Sequence, residues 1–121
     1  MTKRILIVDD YEDIRSMMKF MIEDSGYAVI EAGGPYEAIE KAAELLPDLI
    51  LMDIGLPLMD GLSAARIIKG FDSMADVPII AVTAFNDVLD QVLDAGCHEV
   101  LYKPVQQEEL KQVLDAHLIG H

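Results

Sequence analysis

The chain has 121 residues, a formal net charge of −13 and a mean hydropathy of +0.28. That length suits one domain with a core of its own, and a hydrophobic fraction of 52% argues against disorder. The apolar runs are too short for a membrane span or a secretory signal, and the negative charge disfavours direct binding to nucleic acid or anionic lipid. The single cysteine, Cys97, cannot form an internal disulfide, so we expect a small buried side chain in a reducing, cytoplasmic compartment.

The first half of the chain alternates short apolar runs with segments of helical periodicity. We predict its strands at residues 5–8, 28–30 and 49–52. Gly26 is a candidate C-terminal cap for a first helix. The apolar stripe of that helix consists of Ile14, Met17, Met18, Met21 and Ile22. Pro35 fits the first turn of a second helix that ends at Leu45.

The second half of the chain continues this alternation. Ser63 is a candidate N-terminal cap for a third helix that ends at Lys69. Asn86 or Asp87 would cap a fourth helix that ends at Ala95. We predict the remaining elements, two strands and a fifth helix, at residues 77–82, 100–102 and 106–118.

Strands that alternate with helices along the whole chain predict an α/β fold with right-handed crossovers and a parallel sheet. The strands are uniformly apolar, as expected for strands that are buried on both faces of a sheet. In open sheets of this kind, ligands bind beyond the carboxyl ends of the strands. The polar residues at those ends are therefore the candidates for a functional site.

Five polar residues stand at the ends of four predicted strands. Asp9 and Asp10 follow the first strand, Asp53 follows the third, Thr83 the fourth and Lys103 the fifth. If these strands are neighbours, three carboxylates share one crevice and require a cation, for which an all-oxygen ligand set suits Mg²⁺ or Mn²⁺. A lysine ammonium and a threonine hydroxyl beside them would bind an anion. The combination indicates phosphoryl transfer to an aspartate.

Each of these residues also has an ordinary structural explanation. Asp10 alone could cap the first helix, and Asp53 alone could be a turn residue. Taken singly, Thr83 is more often a strand-end residue and Lys103 a solvated loop residue. The functional interpretation is favoured because all of them fall at the same end of the strands.

The motifs at these strand ends resemble those of the receiver domain of bacterial two-component response regulators. They read IVDD at the end of the first strand, LMDIGLPLMDGL around Asp53, AVTA at Thr83 and YKP at Lys103. The resemblance covers essentially the whole chain, so we expect one receiver domain over residues 1–121. It implies a flavodoxin-like, doubly wound (βα)5 fold, with a five-stranded parallel sheet in the order 2-1-3-4-5 and helices on both faces.

The resemblance implies that Asp53 is the phosphoacceptor. Its carboxylate would attack the phosphohistidine of a sensor histidine kinase or a histidine phosphotransfer protein. Lys103 would pair with Asp53 at rest and with a phosphoryl oxygen afterwards. The other phosphoryl oxygens would be bound by the Thr83 hydroxyl and the Ala84 backbone N–H, with Gly55 close to the group. Lys103, together with a bound Mg²⁺, would neutralise the negative charge that spreads over the phosphoryl group during transfer.

The resemblance also implies a resident Mg²⁺. Asp10, Asp53 and the backbone carbonyl of Gly55 would ligate the ion, and Asp9 would act through a coordinated water. The bond before Pro104 would be cis, which only X-Pro bonds permit at low cost.

The implied function is signalling, and the chain would not be an enzyme beyond its own phosphorylation and dephosphorylation. A phosphoryl group near Thr83 and Lys103 would shift the population between two conformations. The face formed by the fourth helix, the fifth strand and the fifth helix would then control a downstream effector or an output domain. The same face is where the resemblance places a homodimer.

Four positions depart from the family pattern or adjust it. The family usually has an aromatic switch residue where this chain has Val100, and Tyr102 lies on the same strand face, where an ordinary half-buried tyrosine is favoured. Gly55 and Phe85 occupy the sites that tune hydrolysis of the phosphoryl group, and Phe85 could shield it.

Two further groups of residues have no fixed role. Phe20 lies off the core stripe of the first helix, where it is a candidate contact for the phosphodonor or a partly covered edge residue. His98, His117 and His121 show no metal-ligand spacing, so we expect them at the surface.

Other classes of protein fit the sequence less well. A phosphatase with an aspartate nucleophile would carry an acid two residues after Asp53, where this chain has Gly55. A flavin site needs a phosphate-binding loop after the first strand, and the acidic YED segment has the opposite charge. An interaction module that signals without phosphorylation would be expected to have lost Asp53 or Lys103.

Overall fold

The computed structural model describes residues 2–55 and 60–119. Within them, five parallel strands form one sheet in the order β2-β1-β3-β4-β5, with helices on both faces, which confirms the predicted doubly wound fold. The strands are β1 (Arg4–Val8), β2 (Ala28–Ala32), β3 (Leu49–Asp53), β4 (Ile79–Thr83) and β5 (Glu99–Tyr102). The helices are α1 (Glu12–Asp24), α2 (Pro35–Leu45), α3 (Gly61–Lys69), α4 (Leu89–Asp94) and α5 (Gln107–Leu118), with a 3₁₀ turn at Asp72–Met74.

The register of the sheet places the carboxyl ends of four strands along one edge. Val8 on β1 is aligned with Met52 on β3, and Thr83 on β4 is aligned with Tyr102 on β5. Because the strands are parallel, the loops that follow β1, β3, β4 and β5 all leave the sheet on the same side. This geometry opens a crevice at the position that the sequence predicts for the site.

Hydrophobic packing covers the two faces of the sheet separately. On one face, α2, α3 and α4 contribute buried residues such as Ala42, Ile68 and Val92. On the other face, α1 and α5 contribute buried residues such as Ile22 and Leu114. Every residue of β3 and β4 is buried, which explains why these strands read as continuous apolar runs.

The start of α3 differs from the prediction. Asp60 is the N-terminal cap, and its carboxylate accepts a hydrogen bond from the Ser63 backbone N–H at 2.7 Å. The prediction of Ser63 as the cap is therefore wrong. Ser63 lies inside the helix, and the carboxylate of Asp60, one residue before the helix, caps the Ser63 amide. Gly61 becomes the first helical residue.

The start of α4 also differs, and the fourth strand is shifted. Asp87 has a φ of 57°, a left-handed conformation that an N-terminal cap does not adopt. The helix begins at Leu89 with Val88 at the cap position, so neither Asn86 nor Asp87 caps it. It ends at Asp94, with Ala95 as its C-terminal cap rather than its last residue. Strand β4 spans Ile79–Thr83 rather than 77–82.

The first helix confirms most of its predicted stripe. Met18, Met21 and Ile22 are buried, and Gly26, with a φ of 98°, follows the helix end as expected. Met17, however, is 52% exposed, so its placement in the core was wrong. Its helical spacing puts it on the edge of the stripe.

Candidate functional site

The five predicted site residues meet at the carboxyl edge of the sheet. Asp9, Asp53 and Thr83 are buried, whereas Asp10 and Lys103 are half-buried. The surrounding strand ends supply this burial, because β1, β3 and β4 are the central strands of the sheet. Buried carboxylates are costly unless they are paired or bind a cation, so a cluster of this kind indicates a functional site.

The three carboxylates form a compact oxygen cluster. Asp9, Asp10 and Asp53 each have one oxygen within 4.8 Å of the others. Asp10 Oδ1 is buried and has no hydrogen-bond partner within residues 2–55 and 60–119. The alternative that Asp10 caps α1 is wrong, since Tyr11 occupies the cap position. An orphaned carboxylate oxygen in an all-oxygen cluster fits a hard divalent cation such as Mg²⁺.

Lys103 lies between two of these carboxylates. Its Nζ is 3.3 Å from Asp53 Oδ2 and 3.5 Å from Asp9 Oδ2. The Lys103 backbone N–H donates to the Thr83 carbonyl oxygen at 2.8 Å, which fixes the start of the lysine relative to β4. The bond between Lys103 and Pro104 is cis, as the family resemblance implies.

Asp9 is held by the chain that surrounds it. Its Oδ1 accepts the Tyr11 backbone N–H at 2.9 Å. Burial raises the pKa of Asp9 above its ordinary value, and the nearby Asp53 charge adds to that, while the Tyr11 amide and Lys103 act in the opposite direction. The Tyr11 amide and the Lys103 ammonium therefore offset part of the cost of burying the Asp9 charge.

Asp53 is positioned by the backbone on either side of it. Its Oδ1 accepts the Gly55 backbone N–H at 3.0 Å, and its Oδ2 faces Lys103. The start of α3 packs against the same backbone so closely that a Cβ on Gly61 would lie 2.2 Å from the Asp53 carbonyl oxygen. Sequence reasoning missed Gly61, although the Asp-Gly pair near the end of the motif around Asp53 was a signal for such a close approach.

Thr83 links the site to the loop before α4. Its Oγ1 accepts the Phe85 backbone N–H at 2.9 Å. Ala84, whose amide was assigned to phosphoryl binding, lies in the same loop and is exposed. Phe85 is 61% exposed, and its ring lies 3.9 Å from the place where a Cβ on Gly55 would be. The ring thus stands at the mouth of the crevice, where shielding of a phosphoryl group stays a prediction.

The remaining predicted residues lie outside the crevice. Val100 packs against the core, and Tyr102 is 44% exposed rather than half-buried, because it sits at the end of the edge strand β5. Phe20 is exposed on α1, as its position off the stripe indicates.

The histidines differ from the expectation in one case. His98 is exposed, as predicted. His117 lies in α5 with only 22% of its side chain exposed and pairs with Glu99 at 2.6 Å, so its placement as a surface residue was wrong. The imidazole rings of His98 and His117 are in edge-to-face contact, with centroids 5.9 Å apart. His121 lies outside the described residues.

An apolar groove adjoins the site on the side of α1. Its volume is about 350 Å³. The lining residues are Ile14, Met17, Met18, Ala84, Lys103, Pro104 and Val105. The groove and the carboxylate cluster share Lys103, so a molecule that occupied the groove would lie next to the proposed site of chemistry.

Comparison with known proteins agrees with this site. The response regulator receiver domain family matches residues 5–115, and the chain belongs to that family. The polar-differentiation response regulators DivK of Brucella ovis and of Brucella anthropi are each 36% identical to it over 120 residues, which covers 98% of this chain and 98% of each relative.

Two solved structures extend the comparison. The chemotaxis response regulator CheY4 of Vibrio cholerae superposes with a TM-score of 0.92 at 28% identity, covering 98% of this chain and 100% of that one. The receiver domain of a sensor histidine kinase from Pseudomonas aeruginosa superposes with a TM-score of 0.89 at 33% identity, covering 97% and 98%. That structure carries a magnesium ion coordinated in its active site cleft.

Membrane insertion of a helix receives no support from the described chain. Among residues 2–55 and 60–119, none of the helices has the length and apolar character needed to cross a bilayer.

Proposed function

We propose that the chain is a phosphoacceptor of two-component signalling and that Asp53 is the residue that becomes phosphorylated. The observation that carries this proposal is the environment of the Asp53 carboxylate. It is buried, lies 3.3 Å from the Lys103 ammonium, and has an oxygen within 4.8 Å of oxygens of Asp9 and Asp10. A nucleophilic carboxylate between a cation site and a lysine suits attack on a phosphoryl group.

The cation at this site is proposed to be Mg²⁺, with Mn²⁺ as a substitute. Asp10 and Asp53 would ligate it together with the Gly55 carbonyl oxygen, and Asp9 would act through a water. The unpartnered Asp10 Oδ1 supports this assignment, as does the magnesium in the cleft of the Pseudomonas aeruginosa relative. When bound, the ion would neutralise negative charge on the phosphoryl oxygens.

The transfer exchanges one bond for another. A carboxylate oxygen of Asp53 forms a bond to phosphorus, and the bond from phosphorus to the imidazole nitrogen of a donor phosphohistidine breaks. The imidazole leaves with the electron pair of that bond and takes a proton from water. Lys103 needs little movement to remain beside the new acyl phosphate, because it already lies next to Asp53 Oδ2. The donor would be a sensor histidine kinase or a histidine phosphotransfer protein.

Thr83 is the proposed link between phosphorylation and the output. Its hydroxyl oxygen accepts from Phe85, which leaves the hydroxyl hydrogen free to donate to a phosphoryl oxygen. A movement of Thr83 toward that oxygen would pull the Phe85 amide and the loop before α4. Leu89 and Leu93 stand exposed on one side of α4, and Tyr102 is exposed on β5, the strand that α4 contacts. These residues would present the change to an effector, an output domain or a second copy of the chain.

In this proposal the chain is a signalling component and not a turnover enzyme. One phosphoryl group is accepted per molecule, and water later removes it from the acyl phosphate. The conformational change is a shift between two populated states, driven by the added charge near Thr83 and Lys103.

Intact mass after incubation with Mg²⁺ and acetyl phosphate tests the proposal. We expect a single added phosphoryl group in the wild type, none in Asp53→Asn and none after addition of EDTA. Asp60→Asn is the matched control, because Asp60 is an exposed carboxylate that caps the adjacent helix and asparagine caps equally well. That variant should be labelled like the wild type.

Binding of beryllofluoride distinguishes a missing acceptor from fast hydrolysis of the phosphoryl group. If no adduct is seen in the wild type, beryllofluoride, which mimics the phosphoryl group, should still bind when Asp53 is intact. Failure of both reagents, or equal labelling of the wild type and Asp53→Asn, would show that Asp53 is not the phosphoacceptor.

A further inference from the structure

Arg15, in the first turn of α1, bonds to the backbone of the acidic pair and to a neighbouring strand at the same time. Its Nη1 donates to the Asp9 carbonyl oxygen at 2.8 Å, and its Nε donates to the Glu31 carboxylate at 3.1 Å. The Arg15 side chain is only 18% exposed, so water screens this pair less than it screens a surface pair. The rigid fork of the guanidinium allows both bonds to be made in one conformation.

Glu31 is itself held in place on β2. Its second carboxylate oxygen lies 3.5 Å from Lys19 Nζ, and its backbone carbonyl oxygen accepts a bond from Lys41. In the sheet, Glu31 is aligned with Ile7 of β1, two residues before Asp9. Arg15 is therefore anchored to the sheet and not to a mobile loop.

The bond to the Asp9 carbonyl has a consequence for Asp10. The carbonyl of Asp9 and the amide of Asp10 belong to one planar peptide unit, so a donor that fixes the carbonyl also fixes the backbone from which the Asp10 carboxylate projects. We infer that Arg15 is a positioning residue for cation binding, which acts through this peptide unit, and that Glu31 holds Arg15 in place. The inference rests on the proposed Mg²⁺ site.

The charge of Arg15 and its proposed positioning role predict opposite effects on Mg²⁺ affinity when Arg15 is replaced. Arg15 is a cation bonded to the backbone of the acidic pair, so its replacement by a neutral residue would strengthen Mg²⁺ binding if only the charge mattered. Positioning predicts weaker binding, because the Asp10 backbone is released. Loss of an outer-shell partner of a metal ligand typically weakens affinity by 10- to 100-fold, and we expect about tenfold for Arg15→Met. The direction of the change therefore separates the two explanations.

The experiment is a titration of Mg²⁺ alone into wild type, Arg15→Met, Glu31→Gln and the double variant, followed by amide resonances in NMR spectra. We expect weaker binding in both single variants, and no further loss in the double variant, because the two residues act as one unit. Arg66→Met is the matched control: it makes the same substitution, and Arg66 pairs with Asp94 and has no bond to Asp9 or Glu31 among the described residues. Its affinity should equal or exceed that of the wild type.

Each outcome decides the inference. Unchanged or tighter binding in Arg15→Met, with measurable binding in the wild type, overturns the positioning role and leaves the Mg²⁺ site standing. Additive losses in the double variant also overturn it, whereas no Mg²⁺ binding in the wild type refutes the proposed function together with the inference. Urea unfolding without Mg²⁺ shows whether each variant is folded, and Arg15→Gln, which also removes the charge and the bond to the Asp9 carbonyl, repeats the test if Arg15→Met is not folded.

Discussion

Gly61, the first residue of α3, packs directly against the strand end that carries the proposed phosphoacceptor. A Cβ at this position would lie 2.2 Å from the Asp53 carbonyl oxygen and 2.6 Å from the Ile54 Cα. Both are backbone atoms, which cannot rotate away as a flexible side chain would. To reach a contact of 3.0 Å, the helix start and the strand end must separate by about 0.8 Å. We therefore expect Gly61→Ala to lower the free energy of unfolding by about 1–3 kcal/mol, the usual cost of overpacking.

Urea unfolding followed by circular dichroism measures this loss. With an m value of about 1–3 kcal/mol per molar, typical of small proteins, the midpoint should fall by about 1 M. Gly34→Ala is the matched control, because Gly34 also stands at a helix start, has an extended φ of −170° and has no atom within 4 Å of the place where a Cβ would lie. Loss of a glycine cap there costs at most about 1 kcal/mol. Equal midpoints for the two variants would refute the close-approach argument.

Three further predictions concern titratable side chains away from the site. Burial and the bond to Asp115 raise the pKa of Tyr27 to about 12, so an absorbance titration after a pH jump should show one phenol that ionises last, and Tyr27→Phe should remove that step. Burial raises the pKa of the Cys97 thiol to about 11, so we expect slow reaction with a thiol reagent in the folded protein. Because the unfolded thiol loses its proton from about pH 9, the stability from Cys97 should fall as the pH rises from 9 to 11. Desolvation lowers the pKa of His98, so stability should fall as the pH drops below 6.5, and His98→Gln should lose less of it in urea unfolding.

Each of these three predictions would be contradicted by a simple measurement. A Cys97 thiol that reacts equally fast in the folded and the urea-unfolded protein would contradict its burial. An unchanged phenol titration in Tyr27→Phe would contradict the assignment of the last step. Identical pH dependence in the wild type and His98→Gln would show that the histidine does not contribute.

The fold and the composition of the site could be read from the sequence because both depend on local patterns. The uniformly apolar strands and the alternation with helices determine a parallel sheet, and a parallel sheet places its strand ends together. The polar residues that follow or close those strands are Asp9, Asp10, Asp53, Thr83 and Lys103. Their convergence follows once β1, β3, β4 and β5 are neighbours in the sheet, an order that the family resemblance implies and the structure shows.

Helix boundaries were less predictable, because several capping residues compete within a few positions. Asp60 and Ser63 are both good caps by type, and only the conformation of the chain before α3 decides between them. Asp87 is of a residue type that often caps helices, but its left-handed backbone conformation excludes it as the cap of α4. Such choices depend on how the preceding loop packs, which local sequence does not contain.

By itself, the sequence predicted the α/β architecture and the polar side chains that stand at the strand ends. Tertiary structure decided how those side chains are held. Arg15 and Glu31 are 16 residues apart, and Arg15 bonds the Asp9 carbonyl and Glu31 at the same time only because β2 lies beside β1. The contact of Gly61 with the Asp53 backbone likewise depends on the path of the chain between β3 and α3. Bonds between distant segments depend on distances that only the packed sheet and helices define, and residue type and spacing do not encode them directly.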